Sequence, residues 1–263
     1  MVQQLSPLVR RVLANNPGPL THTGTGTFIV GSGTVAVIDP GPDLPKHVAA
    51  LAQALAGETV SHIIVTHEHK DHVGAVPAFA ELTAAPVLGY TRPLRLLEGE
   101  SVEGPGWSLE AIHTPGHVMN HLCLVLAEEE TIFSGDHIMG WSTTMIVPPD
   151  GDMLDYMGSL ELMMRRPEKL FRPTHGAAIP DGPDYAGHLL AHRRLRASKL
   201  VEAISKGARD LASLMLVTYP GVGPGLERAA RMTLEAHLAA LVLQGRIVER
   251  DGYYRTTGID WKN

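Results

Sequence analysis

One cysteine in 263 residues excludes an internal disulfide framework. That residue, Cys123, lies in the apolar run HLCLVLA, which makes it a buried structural thiol rather than a nucleophile. Redox chemistry at sulfur falls away with it. No stretch approaches the ~18 uncharged apolar residues that a membrane span needs, so no membrane partner is expected. The first residues, MVQQLSPLVRRVLANNPGP, place their arginines after a weakly apolar run and lack the long hydrophobic segment of a secretory signal. The expected location is the cytoplasm.

Apolar residues make up 44% and charged residues 19%, enough for a real core in one large domain or in one domain plus a small second unit. The net charge of −6 hides an asymmetry. Residues 1–182 hold 10 basic against 20 acidic residues, whereas residues 183–263 hold 12 against 8. Glycine and proline punctuate the chain at DGPD, 181–184, before a helical pattern resumes. The reading is therefore a larger domain over 1–182 and a smaller domain over 183–263.

Along the first part, TFIVGSGTVAVIDPG predicts two strands turned at Gly31-Ser32-Gly33. Leu44, Val48, Leu51 and Leu55 recur at helical spacing, SHIIVTH is a short β-rich run, and PAFAELTA is helical again. SLEAIHTPGH, HLCLVLAEE and TIFSGDH give three further strands. Residues of ligand type gather where these strands stop, the layout in which α/β proteins place their sites.

The densest of these points is THEHKDHVG, residues 66–74. On an extended segment residues two apart face the same way, so His67 and His69 could grip one metal while Asp71 and His72 turn toward a second. A nitrogen and oxygen ligand set without cysteine favours an open, catalytic site over a closed structural one. Neither half is complete by itself. His117 in TPGH, Asp136 in FSGD and His175 in PTHG each sit beside a glycine after an apolar run. The set then closes with His67, His69 and His117 on one metal, Asp71, His72 and His175 on the other, and Asp136 bridging.

These motifs, with IDPG at 38–41, resemble the metallo-β-lactamase superfamily of dinuclear metallohydrolases over most of the first 180 residues. The resemblance implies an α/β fold, an αβ/βα sandwich with the metals at one edge between two sheets, and a supporting role for Asp39 behind the metal ligands. It also implies metal-assisted hydrolysis. Two zinc ions about 3.5–4 Å apart would acidify a water between them toward a pKa of ~7, and Asp71 would accept a proton as the hydroxide adds. Iron and manganese suit the same ligands. Some branches drop out by residue type. True β-lactamases of this superfamily carry a cysteine ligand in the slot of Asp136 or lack a bridging carboxylate there, and the flavin-partnered diiron reductases carry a glutamate where His69 stands.

In the last 80 residues, helices over about 184–206, in LASLMLVTYP and in LERAARMTLEAHLAALVLQG precede a hairpin turned at Asp251-Gly252. Leu234, Leu238 and Leu241 share one stripe of the last helix. Helices followed by a hairpin is the order of a winged helix. With NPGPLT at 16–21 and DYMGSLELM at 155–163, this tail is similar to a small lactamase-like hydrolase subgroup that includes endoribonucleases of single-stranded RNA, with thioesterases on acyl carriers among related chains. In that subgroup the DYM element lies near the metal cleft, which makes Tyr156 a candidate to orient a substrate oxygen. HRRLRASK, 192–199, is a basic patch that could track phosphates, with a dimer contact as its other use. The acidic first part and the neutral stretch 225–244 offer a polyanion little attraction. A small ester or thioester is thus the favoured substrate, single-stranded RNA the alternative, and a non-catalytic winged-helix binder with a vestigial metal site the third reading.

Overall fold

Alternating apolar residues build two sheets that share one core. The computed structural model describes residues 2–223 and 225–257. The chain divides into two units, the first made of Met1–Pro115, Asn120–Thr144 and Arg165–Pro183, the second of Gly116–Met119, Met145–Met164 and Asp184–Asn263. The tail from Asp184 thus shares its unit with two earlier segments of the chain.

In the first unit β1 (Val2–Gln4), β2 (Val9–Leu13), β3 (Gly26–Ser32) and β4 (Thr34–Ile38) form an antiparallel meander. Helix α1 (Pro45–Ala54) leads to β5 (Thr59–Ile64), which runs parallel to β4. Helices α2 (Lys70–Val73) and α3 (Val76–Thr83) precede the parallel strands β6 (Val87–Gly89) and β7 (Leu94–Arg95), completing a seven-stranded sheet in sequence order. The second sheet contains β8 (Ser101–Gly104), β9 (Trp107–His113), β10 (Leu122–Leu126), β11 (Thr131–Gly135) and, after α4 (Met153–Met163) in the chain, β12 (Leu170–Pro173). Its order is β12-β11-β10-β9-β8, with β11 and β12 parallel.

The period of two decides which face each residue serves. Phe28, Val30, Ala36 and Ile38 meet Leu109, Leu122, Leu124 and Phe133 in the core between the sheets. Their neighbours Ile29, Val35 and Val37 point the other way, onto Leu51 of α1 and Phe79 of α3. Cys123 is fully buried in β10 and unpaired, the structural thiol that its apolar run predicts.

The second unit holds α4, nearly all of α5 (Gly182–Ser205), α6 (Leu211–Thr218), α7 (Glu227–Leu243) and a hairpin of β13 (Ile247–Arg250) and β14 (Tyr253–Thr256). Leu234, Leu238 and Leu241 of α7 are buried together with Leu200, Leu214 and Ile247. Asp210 starts α6 by accepting the Ser213 amide at 2.9 Å. The hairpin turns on Asp251 and Gly252, both at positive φ, as a two-residue primed turn requires. Among the described residues no helix is long and apolar enough to cross a membrane.

Candidate metal centre

The cluster stands where parallel strands end. Asp39 follows β4, His67 and His69 follow β5 by three and five residues, Asp136 follows β11 directly, and His175 lies two residues past β12. Asp71 and His72 sit on the single turn of α2. Within the first unit, ligand-type atoms of His67, His69 and Asp136 lie within 4.8 Å of one another, and so do those of Asp71, His72 and His175. Asp136 faces the second trio as well, 3.5 Å from His72 Nε2 and 3.4 Å from His175 Nε2.

What holds each imidazole decides which nitrogen it offers. His72 Nδ1 donates to Asp39 Oδ2 at 2.8 Å, and His175 Nδ1 donates to the Gly24 carbonyl at 3.1 Å. The Nε2 atoms of both rings are buried and form no aligned hydrogen bond among the described residues, although carboxylate oxygens stand 3.1–3.6 Å away. A ring pinned through Nδ1 presents its Nε2 lone pair, the arrangement by which a metal-binding histidine is oriented. Thr66 Oγ1 donates to Asp39 Oδ2 at 2.7 Å and lies 3.1 Å from His67 Nδ1, which turns His67 Nε2 toward His69 Nδ1 at 2.9 Å.

Charge gives the same answer. Burial alone would push the His72 imidazole down, but the carboxylates of Asp136 and Asp39 outweigh it and raise the group well above its usual value. His175 is raised in the same way, burial being outweighed by Asp136 and Asp71. Burial would raise Asp71, yet His175 and His72 beside it leave the carboxyl lowered. Carboxylates packed among buried imidazoles demand positive charge, which protons on the rings or a divalent cation can supply. The donor set fits such a cation.

His117 and Tyr156 belong to the second unit. His117 lies in the connection between β9 and β10, and its Nδ1 donates to the Met145 carbonyl at 2.6 Å, leaving Nε2 as the ligand-type atom. Tyr156 is fully buried, with the Arg193 guanidinium 5.1 Å over its ring. Its Cα stands where a Cβ on Gly116 would come within 2.3 Å.

Several supports escaped the sequence reading. Thr66 donates its amide and hydroxyl to Asp39, and Thr174 lies 3.4 Å from the same carboxylate. A threonine directly before a candidate histidine, in THEH and in PTHG, was the available signal. His121 accepts the Asp136 amide at 3.2 Å and contacts Thr114 Oγ1 at 2.8 Å, which ties Asp136 to β9 and β10. His22 stacks on Trp141 at 4.8 Å beside Gly176, next to His175.

The basic patch at 192–199 is largely spent on the unit's own packing. Arg193 is only 3% exposed, Arg194 pairs with Glu161 at 2.6 Å, and Arg196 bonds the Thr218 carbonyl and covers the Tyr219 ring at 4.4 Å. The phosphate-tracking surface, and with it the single-stranded RNA partner, therefore gains no support. Among the described residues no feature supports a homodimer either.

Comparison with known proteins bears on the whole chain. The model of the metallo-β-lactamase superfamily matches residues 22–98 and 90–175. An atrochrysone carboxyl ACP thioesterase of Aspergillus chevalieri is 33% identical over 259 residues, covering 92% of this chain and 82% of that protein. A protein of the same name from Aspergillus novofumigatus is 33% identical over 251 residues, covering 91% and 72%. Among solved structures, a metallo-β-lactamase family protein from Thermus thermophilus superposes with a TM-score of 0.83 at 22% identity, covering 96% of this chain and all of that one. At that identity the likeness speaks for the fold alone.

Proposed function

We propose that this chain, which belongs to the metallo-β-lactamase superfamily and is a hydrolase, cleaves thioesters. The single observation that carries the substrate class is the 33% identity, over nine-tenths of the chain, to proteins named as ACP thioesterases. The acidic first part agrees with a substrate that is not a polyanion.

In this reading His67, His69 and His117 would hold one divalent ion and Asp71, His72 and His175 the other, with the Asp136 carboxylate available to either. Zinc is the proposed metal on ligand type, with iron or manganese as substitutes. Bound, the ions would supply a water acidic enough to ionise near neutral pH and an electrophile for the thioester carbonyl. Asp39, through His72, keeps one ring aimed at its ion. Asp71, 30% exposed and 3.1 Å from His175 Nε2, takes the proton of the attacking water. The carbon–sulfur bond breaks, the acyl group leaves as a carboxylic acid, and the thiolate takes up a proton. Tyr156 is proposed as a positioning residue that braces Gly116 beside His117. Residues 1–182 are the proposed catalytic domain, and α6, α7, β13 and β14 within 183–263 a winged-helix-like accessory.

The test is metal-loaded protein against an acyl thioester, a lactone, a β-lactam and single-stranded RNA. Thioester hydrolysis that disappears on chelation and in Asp136→Ala is the expected result. Salt-sensitive RNA cleavage with inert thioesters would replace this reading with the nuclease one. Protein that carries no metal and hydrolyses nothing would favour the non-catalytic binder.

A further inference from the structure

The second unit contains a cavity of about 440 Å³ between α4, α5 and α7, a size that suits a small organic ligand. None of its lining residues is a candidate metal ligand. Its floor is apolar and adaptable, built from Met153, Leu154 and Met157 of α4 and Leu241 of α7. Two polar features break that floor. His237 lines the cavity at 1% exposure, and its Nε2 has no hydrogen-bond partner among the described residues. A buried ring nitrogen left so costs free energy unless something enters to meet it. At the rim stand two arginines of different kinds. Arg194 is already paired with Glu161 at 2.6 Å, whereas the exposed Arg246 guanidinium makes no ion pair or hydrogen bond among the described residues.

We infer that this cavity binds an amphipathic monocarboxylate, its apolar chain on Met153, Met157 and Leu241, its carboxylate on Arg246, and a carboxylate oxygen within reach of His237. A guanidinium unengaged among the described residues matches one negative charge, and its planar fork suits a carboxylate bidentately, whereas a phosphate dianion would call for a second such cation. Burial, with Arg193, Arg196 and His192 nearby, pushes His237 down to about 3, so the ring stays neutral and acts through hydrogen bonding. The inference does not depend on the thioesterase reading, since every lining residue lies outside the metal cluster.

Gly158 supplies a clean way to close the cavity. It lines the cavity on α4, and a Cβ added there meets no atom within 4 Å. A leucine would enter the open space while favouring the helix. Titration calorimetry of the full chain with decanoate, decanol and decylamine tests the proposal, with melting temperature and metal content as checks on folding. Decanoate should bind at one site. Gly158→Leu and Arg246→Gln should each weaken it about tenfold or more, and decanol should lose affinity in Gly158→Leu but not in Arg246→Gln. No saturable decanoate binding, or undiminished binding in a folded Gly158→Leu, would overturn the site. Decylamine binding as tightly as decanoate would overturn the anion assignment. Should Gly158→Leu not fold, the rim variant Arg246→Gln decides: unchanged decanoate affinity refutes the proposal.

Discussion

Asp39 Oδ2 lies 2.8 Å from His72 Nδ1, and neither side chain has any exposed surface. A carboxylate behind an imidazole fixes the ring's tautomer and strengthens its other nitrogen as a ligand, and loss of such a partner commonly costs 10–100-fold in metal affinity. Asp39→Asn keeps the shape and removes the charge. It should therefore weaken divalent-ion binding at the Asp71, His72 and His175 group by about 10–100-fold in a chelator competition. Unchanged affinity would make Asp39 a turn residue and nothing more.

The same geometry predicts a stoichiometry. Seven candidate ligands with one shared carboxylate exceed what a single ion uses, so protein loaded in metal excess should carry close to two ions per chain by elemental analysis. His175→Ala should lower that to about one with the circular dichroism intact, because His67, His69, His117 and Asp136 remain. A wild-type content fixed at one, or two ions retained in His175→Ala, would refute the assignment.

Legibility in the sequence followed the range of each interaction. The longer strands and helices were readable because Phe28/Val30 against Ile29 and Leu234/Leu238/Leu241 are local periodicities, whereas β1, β2, β6, β7, β8 and β12 were not anticipated. The candidate ligands were readable because His67, His69, Asp71 and His72 crowd into six consecutive residues. What failed to show were contacts closed only by the fold. Thr66 meets Asp39 across 27 residues and Thr174 meets it across 135. Likewise no boundary was read at 116–119 or 145–164, because the contacts that tie these segments to the tail's unit close only in the fold. The packing of the basic patch was not legible either, because charge is visible in a sequence and burial is not, as Arg193 demonstrates at 3% exposure.

Gly116 is the point where the TPGH motif meets Tyr156. Its φ is +135°, and a Cβ would fall 2.3 Å from Tyr156 Cα and 2.4 Å from its backbone nitrogen. Backbone atoms of a helix cannot move aside cheaply. Gly116→Ala should destabilise the protein by about 2–4 kcal/mol in chemical denaturation and reduce metal content by displacing His117. Gly158→Ala, with open space around its Cβ, should be neutral or stabilising by up to about 1 kcal/mol. Equal effects of the two substitutions would contradict this account.

Cys123 should be chemically silent. Burial pushes its thiol up to about 12, and Thr114 Oγ1 beside it at 3.3 Å only partly offsets that. Thiolate is the reactive form. At pH 8 a disulfide reagent should find almost no titratable thiol in the native protein and one per chain in denaturant. Rapid native labelling would show that β10 opens.

His237 should make the second unit sensitive to acid. Burial, reinforced by Arg193, Arg196 and His192, lowers it to about 3 in the folded chain, against an ordinary value of 6.5. Between those values the unfolded chain binds a proton that the folded chain refuses, so stability falls as pH drops below about 6.5. At pH 5 the loss is about 2 kcal/mol. His72 and His175, raised in the folded state, run in the opposite direction, so the wild-type curve alone mixes the two. The difference between wild type and His237→Gln cancels their share. That difference in unfolding free energy should shift by about 2 kcal/mol in favour of the variant between pH 7 and pH 5. A difference independent of pH would mean that His237 gains its proton without leaving the fold.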